Sequence, residues 1–209
     1  MKGEKMKKND VLMLQPIYHV CNKSIEGYNI FRSDHEYQRF LMSLSYYKYG
    51  KQTNRFARYL QLINEFKAPE INKTNQLVNI YTYCIMPTHY HLLVEELVEK
   101  GIEKFVHMVE TSYAVFFNTK YKRKGHLWQN KYKKIPLTSN NQFLHTTRYL
   151  HINPVKSRLI INPKDWKHSS YLYYISKEKN PLLDDFTKYM SLSRSDYKEF
   201  VEKYLDDLF

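Results

Sequence analysis

Residues 77–95 commit this chain to a sheet. Leu77–Ile85 (LVNIYTYCI) and His89–Glu95 (HYHLLVE) are rich in β-branched and aromatic residues, and only Met86-Pro87-Thr88 separates them. Two such runs across so short a turn predict neighbouring antiparallel strands. A sheet needs cover, and the flanking sequence supplies it. Ile102, Phe105, Val106, Val109, Tyr113, Phe116 and Phe117 recur every three or four positions, the stripe of a long amphipathic helix.

The same logic extends outward. Leu14–Cys21 (LQPIYHVC) reads as a first strand, followed by the polar turn NKSIEGYN. Ser33 with Glu36 three residues on has capping-box spacing, and Tyr37, Phe40, Leu41 and Leu44 continue as a helix that Gly50 stops. Tyr132–Leu137 predicts a further strand. Ser139 with Gln142 opens another helix, expected to end near Asn153 because Pro154 disfavours helical geometry in the residue before it. The order strand, helix, two strands, helix, strand, helix predicts an α+β sandwich, a mainly antiparallel sheet with helices packed on it. Lys51–Gln76 is polar with a helix-like centre (RFARYLQLINEF) and reads as an insertion. The 209 residues therefore suggest one domain over residues 1–175 and a C-terminal extension over 176–209, expected to be helical.

Charge narrows the function. The net charge is +12, and it is not spread evenly. From Thr111 to Lys164 there are 11 basic residues (Lys120, Lys122, Arg123, Lys124, Lys131, Lys133, Lys134, Arg148, Lys156, Arg158 and Lys164) and no Asp or Glu. A solvated surface mixes its signs, whereas a groove for a polyanion concentrates one. Tyr121, Trp128 and Tyr132 lie among those cations, and exposed rings would let unpaired bases stack. Alternatively, Trp128 and Tyr132 belong to the core and the lysines solvate a loop. The longest apolar runs fall far below the roughly 18 residues of a membrane span, and MKGEKMKKND has no signal-peptide core. The expected location is the cytoplasm. Cys21 and Cys84 have no paired metal spacing and are expected to be buried thiols.

Two constellations could carry chemistry. His89 and His91 are two apart on a strand, so both imidazoles share a face and can converge on one ion or phosphate. Histidines so placed are also common as structural groups. On the last helix, Phe143, Thr147 and Leu150 form the core side, while Gln142, His145, Tyr149 and Asn153 form the opposite, polar side. Tyr149 is there either an ordinary surface tyrosine or a phenol that attacks a phosphodiester. Asn153, one turn on, can add an oxygen ligand to a cation held by the histidines. Two imidazoles and a carboxamide leave such an ion strongly positive, which suits Mg²⁺ or Mn²⁺ holding phosphate oxygens.

These segments together resemble a known family. YHVCNKS (Tyr18–Ser24), YCIMPTHYHLLVE (Tyr83–Glu95), SYAVFFNTKYKRKGHLWQNKYK (Ser112–Lys133), RYLHINPVKSRLI (Arg148–Ile160) and WKHSSY (Trp166–Tyr171) are similar to the single-tyrosine HUH transposases, and among them to the REP-associated tyrosine transposases. The resemblance implies a ferredoxin-like fold and a single-stranded DNA endonuclease and strand transferase acting beside hairpins. It implies metal ligands at His89, His91 and Asn153, and a nucleophile at Tyr149 that forms a 5′-phosphotyrosine. DNA contacts would come from Lys120, Lys122, Arg123, Lys124, Trp128, Lys131, Lys133, Lys134, Arg148, Lys156 and Arg158. Lys51–Gln76 is longer than the family's usual connection, and the tail beyond Ser176 has no counterpart. A replication initiator of the same chemistry, a non-cutting nucleic-acid-binding regulator descended from a transposase, and a water-activating hydrolase remain as alternatives. Monomers and homodimers both fit.

Overall fold

The computed structural model describes residues 12–65, 70–129 and 131–206. Strand β1 (Leu12–Lys23) leads into α1 (Asp34–Tyr47) and α2 (Phe56–Asn64). The hairpin β2 (Val78–Met86) and β3 (His89–Glu96) comes next, then α3 (Gly101–Lys120), β4 (Lys133–Ser139) and α4 (Asn140–Lys156). A short α5 (Tyr171–Ile175) and α6 (Arg194–Asp206) complete the α-helices among the described residues. The sheet order is β2-β3-β1-β4 with every neighbouring pair antiparallel. Each βαβ unit thus has a strand of the other inserted between its own two, the ferredoxin-like arrangement that the family resemblance implies.

Strand alternation divides the side chains between two layers. Val20, Leu92, Val94, Ile80 and Ile85 point to one face and pack with Phe40 and Leu44 of α1 and Phe105, Val109 and Phe117 of α3. Ile17, Cys84, Met86, Leu93 and Leu137 point to the other face and meet Phe143 and Leu150 of α4. Tyr90 belongs to the first layer, so its neighbours His89 and His91 face the second, beneath α4. Tyr90 is held there because its hydroxyl donates to Glu110 Oε1 at 2.7 Å.

The expected end of α4 is corrected by the structure. The helix runs through Pro154 to Lys156. Proline removes one intrahelical donor and crowds the preceding turn. Here Ile152 and Val155 on either side of the proline are both buried, and the Pro154 carbonyl accepts from Leu159 N at 3.0 Å beyond the helix end, so packing carries the helix past it.

The segment after α1 is anchored by Phe56 of α2, buried against Tyr46 with ring centroids 5.2 Å apart. The chain beyond α4 protects the open edge of β2, whose free N–H and C=O groups would otherwise recruit another strand. Ile85 N donates to His168 O at 2.9 Å and Asp184 N to Ile80 O at 2.8 Å. Lys48, itself buried, pairs with Asp184 at 2.6 Å. Finally α6 lies on α4 and α5, burying Tyr197 and Val201 against Leu144, Ile152, Tyr171 and Tyr174. Among the described residues, no helix is long and apolar enough to cross a membrane.

Candidate active site

Beneath α4 the sheet presents imidazoles from two strands. His89 and His91 share the face, with ring centroids 5.0 Å apart and planes at 85°. On β1, Cys21 stands opposite His91, and His19 shares its face two residues away. Nε2 of His19 lies 2.9 Å from Nδ1 of His91, the two rings stacked at 5.1 Å. One ligand atom from each of His19, Cys21 and His91 lies within 4.8 Å of the others. Cys84 is fully buried as expected, whereas Cys21 is only partly buried and belongs to this cluster.

Burial keeps these rings neutral. It lowers His19 to a pKa of about 4. His89 also falls to about 4, first through burial and then through the charge of Lys23. His91 falls well below the ordinary imidazole value, chiefly by burial, with His19, His89 and Lys23 adding to it. A neutral imidazole keeps one lone pair to offer. Nδ1 of His89 is bonded to Thr88 Oγ1 at 2.9 Å, and Nδ1 of His91 to His19, so each ring keeps Nε2 for a ligand. Neutral rings with one nitrogen fixed and the other free fit a divalent cation.

Helix α4 brings the phenol. Its start is fixed by Ser139, whose side chain accepts from Gln142 N at 3.2 Å, while Gln142 Oε1 accepts from Thr138 N at 2.7 Å. Phe143, Thr147 and Leu150 are fully buried on the sheet side, which sets the helix's rotation. Tyr149 remains 42% exposed, with its ring centroid 6.0 Å from that of His91 and 6.4 Å from that of His19. Both contacts are edge-on. Lys156 Nζ lies 5.6 Å from the Tyr149 ring. Asn153 follows one turn after Tyr149 but is only 8% exposed, so the polar side expected from the sequence turns inward there.

The expected DNA contacts divide by what already holds them. Lys120 is bound to the buried Glu36 carboxylate at 2.7 Å, and Lys134 to Glu96 at 3.0 Å. Arg123 donates to Asn118 Oδ1 and to Gly125 O. Arg148 is stacked over Phe200 and Tyr204 of α6, at 3.9 and 4.4 Å from the ring centroids. Lys122, Lys124, Lys131, Lys133, Lys156 and Arg158 are exposed and form no ion pair among the described residues. Trp128 needs a correction. It is 7% exposed, packs with Phe31, Phe40, Tyr90 and Tyr113, and donates from Nε1 to Glu110 O, so its faces are not offered to bases. The core alternative for this ring is the one the structure realises.

Sequence reasoning missed His19 and Cys21. The signal was available in part, because His19-Val20-Cys21 has the same two-residue spacing as His89-Tyr90-His91. What placed them together was the pairing of β1 with β3, which spacing alone does not reveal. Lys23, paired with His89 across the same ladder, was missed for the same reason.

Residues 55–153 match the family model for IS200-like transposases. Just under half of the chain is thus similar to that family. The matching stretch runs from α2 to the last turn of α4 and includes His89, His91, Tyr149 and Asn153. Among solved structures, the REP-associated tyrosine transposase bound to a REP hairpin is similar, with a TM-score of 0.54 and 12% identity. The alignment covers 88% of this chain and 96% of that one, and at this identity it establishes the shared fold. No protein of curated function matches.

Proposed function

We propose that this chain is an IS200-like transposase, a metal-dependent single-stranded DNA endonuclease and strand transferase with Tyr149 as nucleophile. The observation that carries this reading is the accessible Tyr149 ring 6.0 Å from the His91 ring, above the same face that bears His89. A strand laid alongside the exposed side of α4, where Tyr149 adjoins the imidazoles, would bring one phosphodiester within reach of both.

The Tyr149 oxygen attacks phosphorus as its proton leaves, and the bond from phosphorus to the 3′ oxygen breaks. The products are a 5′-phosphotyrosine and a 3′-hydroxyl, so the energy of the broken linkage is kept for joining to another 3′-hydroxyl. His89 and His91, with Asn153, would hold Mg²⁺ or Mn²⁺, which makes phosphorus more electrophilic and offsets charge in the in-line displacement. Burial keeps the imidazoles unprotonated, so they do not compete with the cation for their own lone pairs. Lys156, whose Nζ lies 5.6 Å from the Tyr149 ring, would attract the phosphate towards Tyr149, and the exposed Lys131 and Lys133 would hold the strand beside β4.

Tyr149 and the imidazoles come from one chain, so the proposed cleavage requires no second copy. A hairpin-forming single strand is the proposed substrate, in keeping with the hairpin named for the similar structure, and the cytoplasm the proposed location. The test is to incubate the protein with labelled hairpin DNA and Mn²⁺ and to run the mixture under denaturing conditions. A metal-dependent protein–DNA adduct is expected. Cleavage without an adduct would favour water activation, and binding without cleavage would favour the regulator.

A further inference from the structure

We propose that His19, Cys21 and His91 form a second cation site, suited to a thiophilic divalent ion of the Zn²⁺ class, whose filling closes the first site by taking His91. This consequence for cleavage rests on the reading above, but the site itself does not.

The donor set is unlike that of the first site. Two imidazoles and a thiol are the ligands of a borderline-soft ion, whereas Mg²⁺ prefers oxygen. The geometry is near what such an ion needs. Tetrahedral bonds of about 2.0–2.1 Å to nitrogen and 2.3 Å to sulfur separate the ligand atoms by roughly 3.3–3.6 Å. The three ligand atoms lie within 4.8 Å of one another, so the widest separation has to close by about 1 Å while the 2.9 Å contact between His19 Nε2 and His91 Nδ1 opens by a few tenths of an ångström, both within reach of side-chain rotation. All three sit on regular strands, with Cys21 and His91 directly opposed in the β1–β3 ladder. Burial raises the Cys21 thiol, while Lys133 and Lys23 beside it favour the charge of its thiolate. On binding, the S–H proton passes to solvent as the sulfur–metal bond forms. The fourth position is left for water.

Exclusion follows from the proton count of one ring. A neutral imidazole has a single lone pair. With metal on Nδ1, the proton of His91 resides on Nε2, and that nitrogen can no longer serve a cation shared with His89. The two occupancies are therefore alternatives.

The full chain, freed of metal, is titrated with Co²⁺ as a coloured probe for Zn²⁺. Wild type is expected to develop thiolate-to-cobalt charge-transfer absorption at one equivalent. Cys21→Ser should abolish that absorption, His19→Ala should weaken Co²⁺ and Zn²⁺ binding by at least about tenfold, and His89→Ala should leave the absorption in place. In the cleavage assay, one equivalent of Zn²⁺ should suppress the Mn²⁺-dependent adduct in wild type and not in Cys21→Ser. A wild-type protein without the absorption, or absorption that survives in Cys21→Ser, overturns the site. An adduct insensitive to Zn²⁺ despite intact absorption overturns the exclusion. Failure to form any adduct would count against the nuclease reading alone, because the cobalt titration does not depend on it.

Discussion

Nε2 of His19 lies 2.9 Å from Nδ1 of His91, across the β1–β3 ladder. This contact ties a strand 72 residues away to one of the two imidazoles that the HYH spacing singles out. With Nδ1 of His91 as donor, His19 fixes the tautomer in which Nε2 keeps its lone pair.

Outer partners of this kind are worth about 10- to 100-fold in metal affinity. His19→Ala is expected to weaken Mn²⁺ binding by that factor, read by paramagnetic resonance of free Mn²⁺, while the hairpin alone binds as before. Unchanged Mn²⁺ affinity would mean that His19 does not orient His91.

How far the site was legible depends on the level of structure that creates it. Period-two alternation placed His89 and His91 on one face, and helical period placed Tyr149 opposite Phe143, Thr147 and Leu150, because both patterns are local. Strand pairing is not local, so His19 and Cys21 escaped. Asn153 reads as part of the polar side of α4, yet it is buried, because tertiary packing and not helical period decides what covers a side chain. Lys120 and Trp128 read as free because their partners, Glu36 and the carbonyl of Glu110, lie 84 and 18 residues away. Pro154 read as a stop because its cost is local, while the burial of Ile152 and Val155 that outweighs it is tertiary.

Buried histidines make stability depend on pH. His168 stacks on Tyr37 at 3.6 Å and its pKa falls to about 4, mainly by burial, while burial takes His151 to about 3. Both are neutral when folded, and the unfolded chain takes up their protons below about pH 6.5. Stability is therefore retained above that pH and lost as pH falls from about 6.5 towards 4, at no more than about 1.4 kcal/mol per unit for each group. Urea midpoints measured across this range should fall accordingly, and His168→Asn should lessen the slope.

Helix α6 is locked to the helix that carries Tyr149. His151 Nδ1 is 2.7 Å from the Tyr197 hydroxyl and His151 Nε2 is 2.8 Å from Ser170 Oγ, all of them buried. Tyr197→Phe leaves a buried ring nitrogen without its partner, which costs about 1–3 kcal/mol. Equilibrium urea unfolding should show that loss. An unchanged midpoint would contradict the lock.

Salt dependence separates free from committed cations. Each phosphate neutralised on a single strand contributes a log–log slope of about −0.7. Replacing Lys131 and Lys133 with Gln should flatten the slope for hairpin DNA by roughly one such step for every phosphate that the variant leaves to its counterions. Lys134→Gln should change it less, since Glu96 already holds that ammonium. Equal effects at all three positions would show that the Glu96 pair opens on binding.

The most direct measurement of the central claim is the mass of the peptide that carries the nucleotide after cleavage. A Mn²⁺ reaction with hairpin DNA, followed by protease and nuclease digestion, should yield a phosphonucleotide on the peptide containing Tyr149, and none with Tyr149→Phe. The same modification on a different tyrosine, or cleaved DNA with every peptide unmodified, would contradict the account.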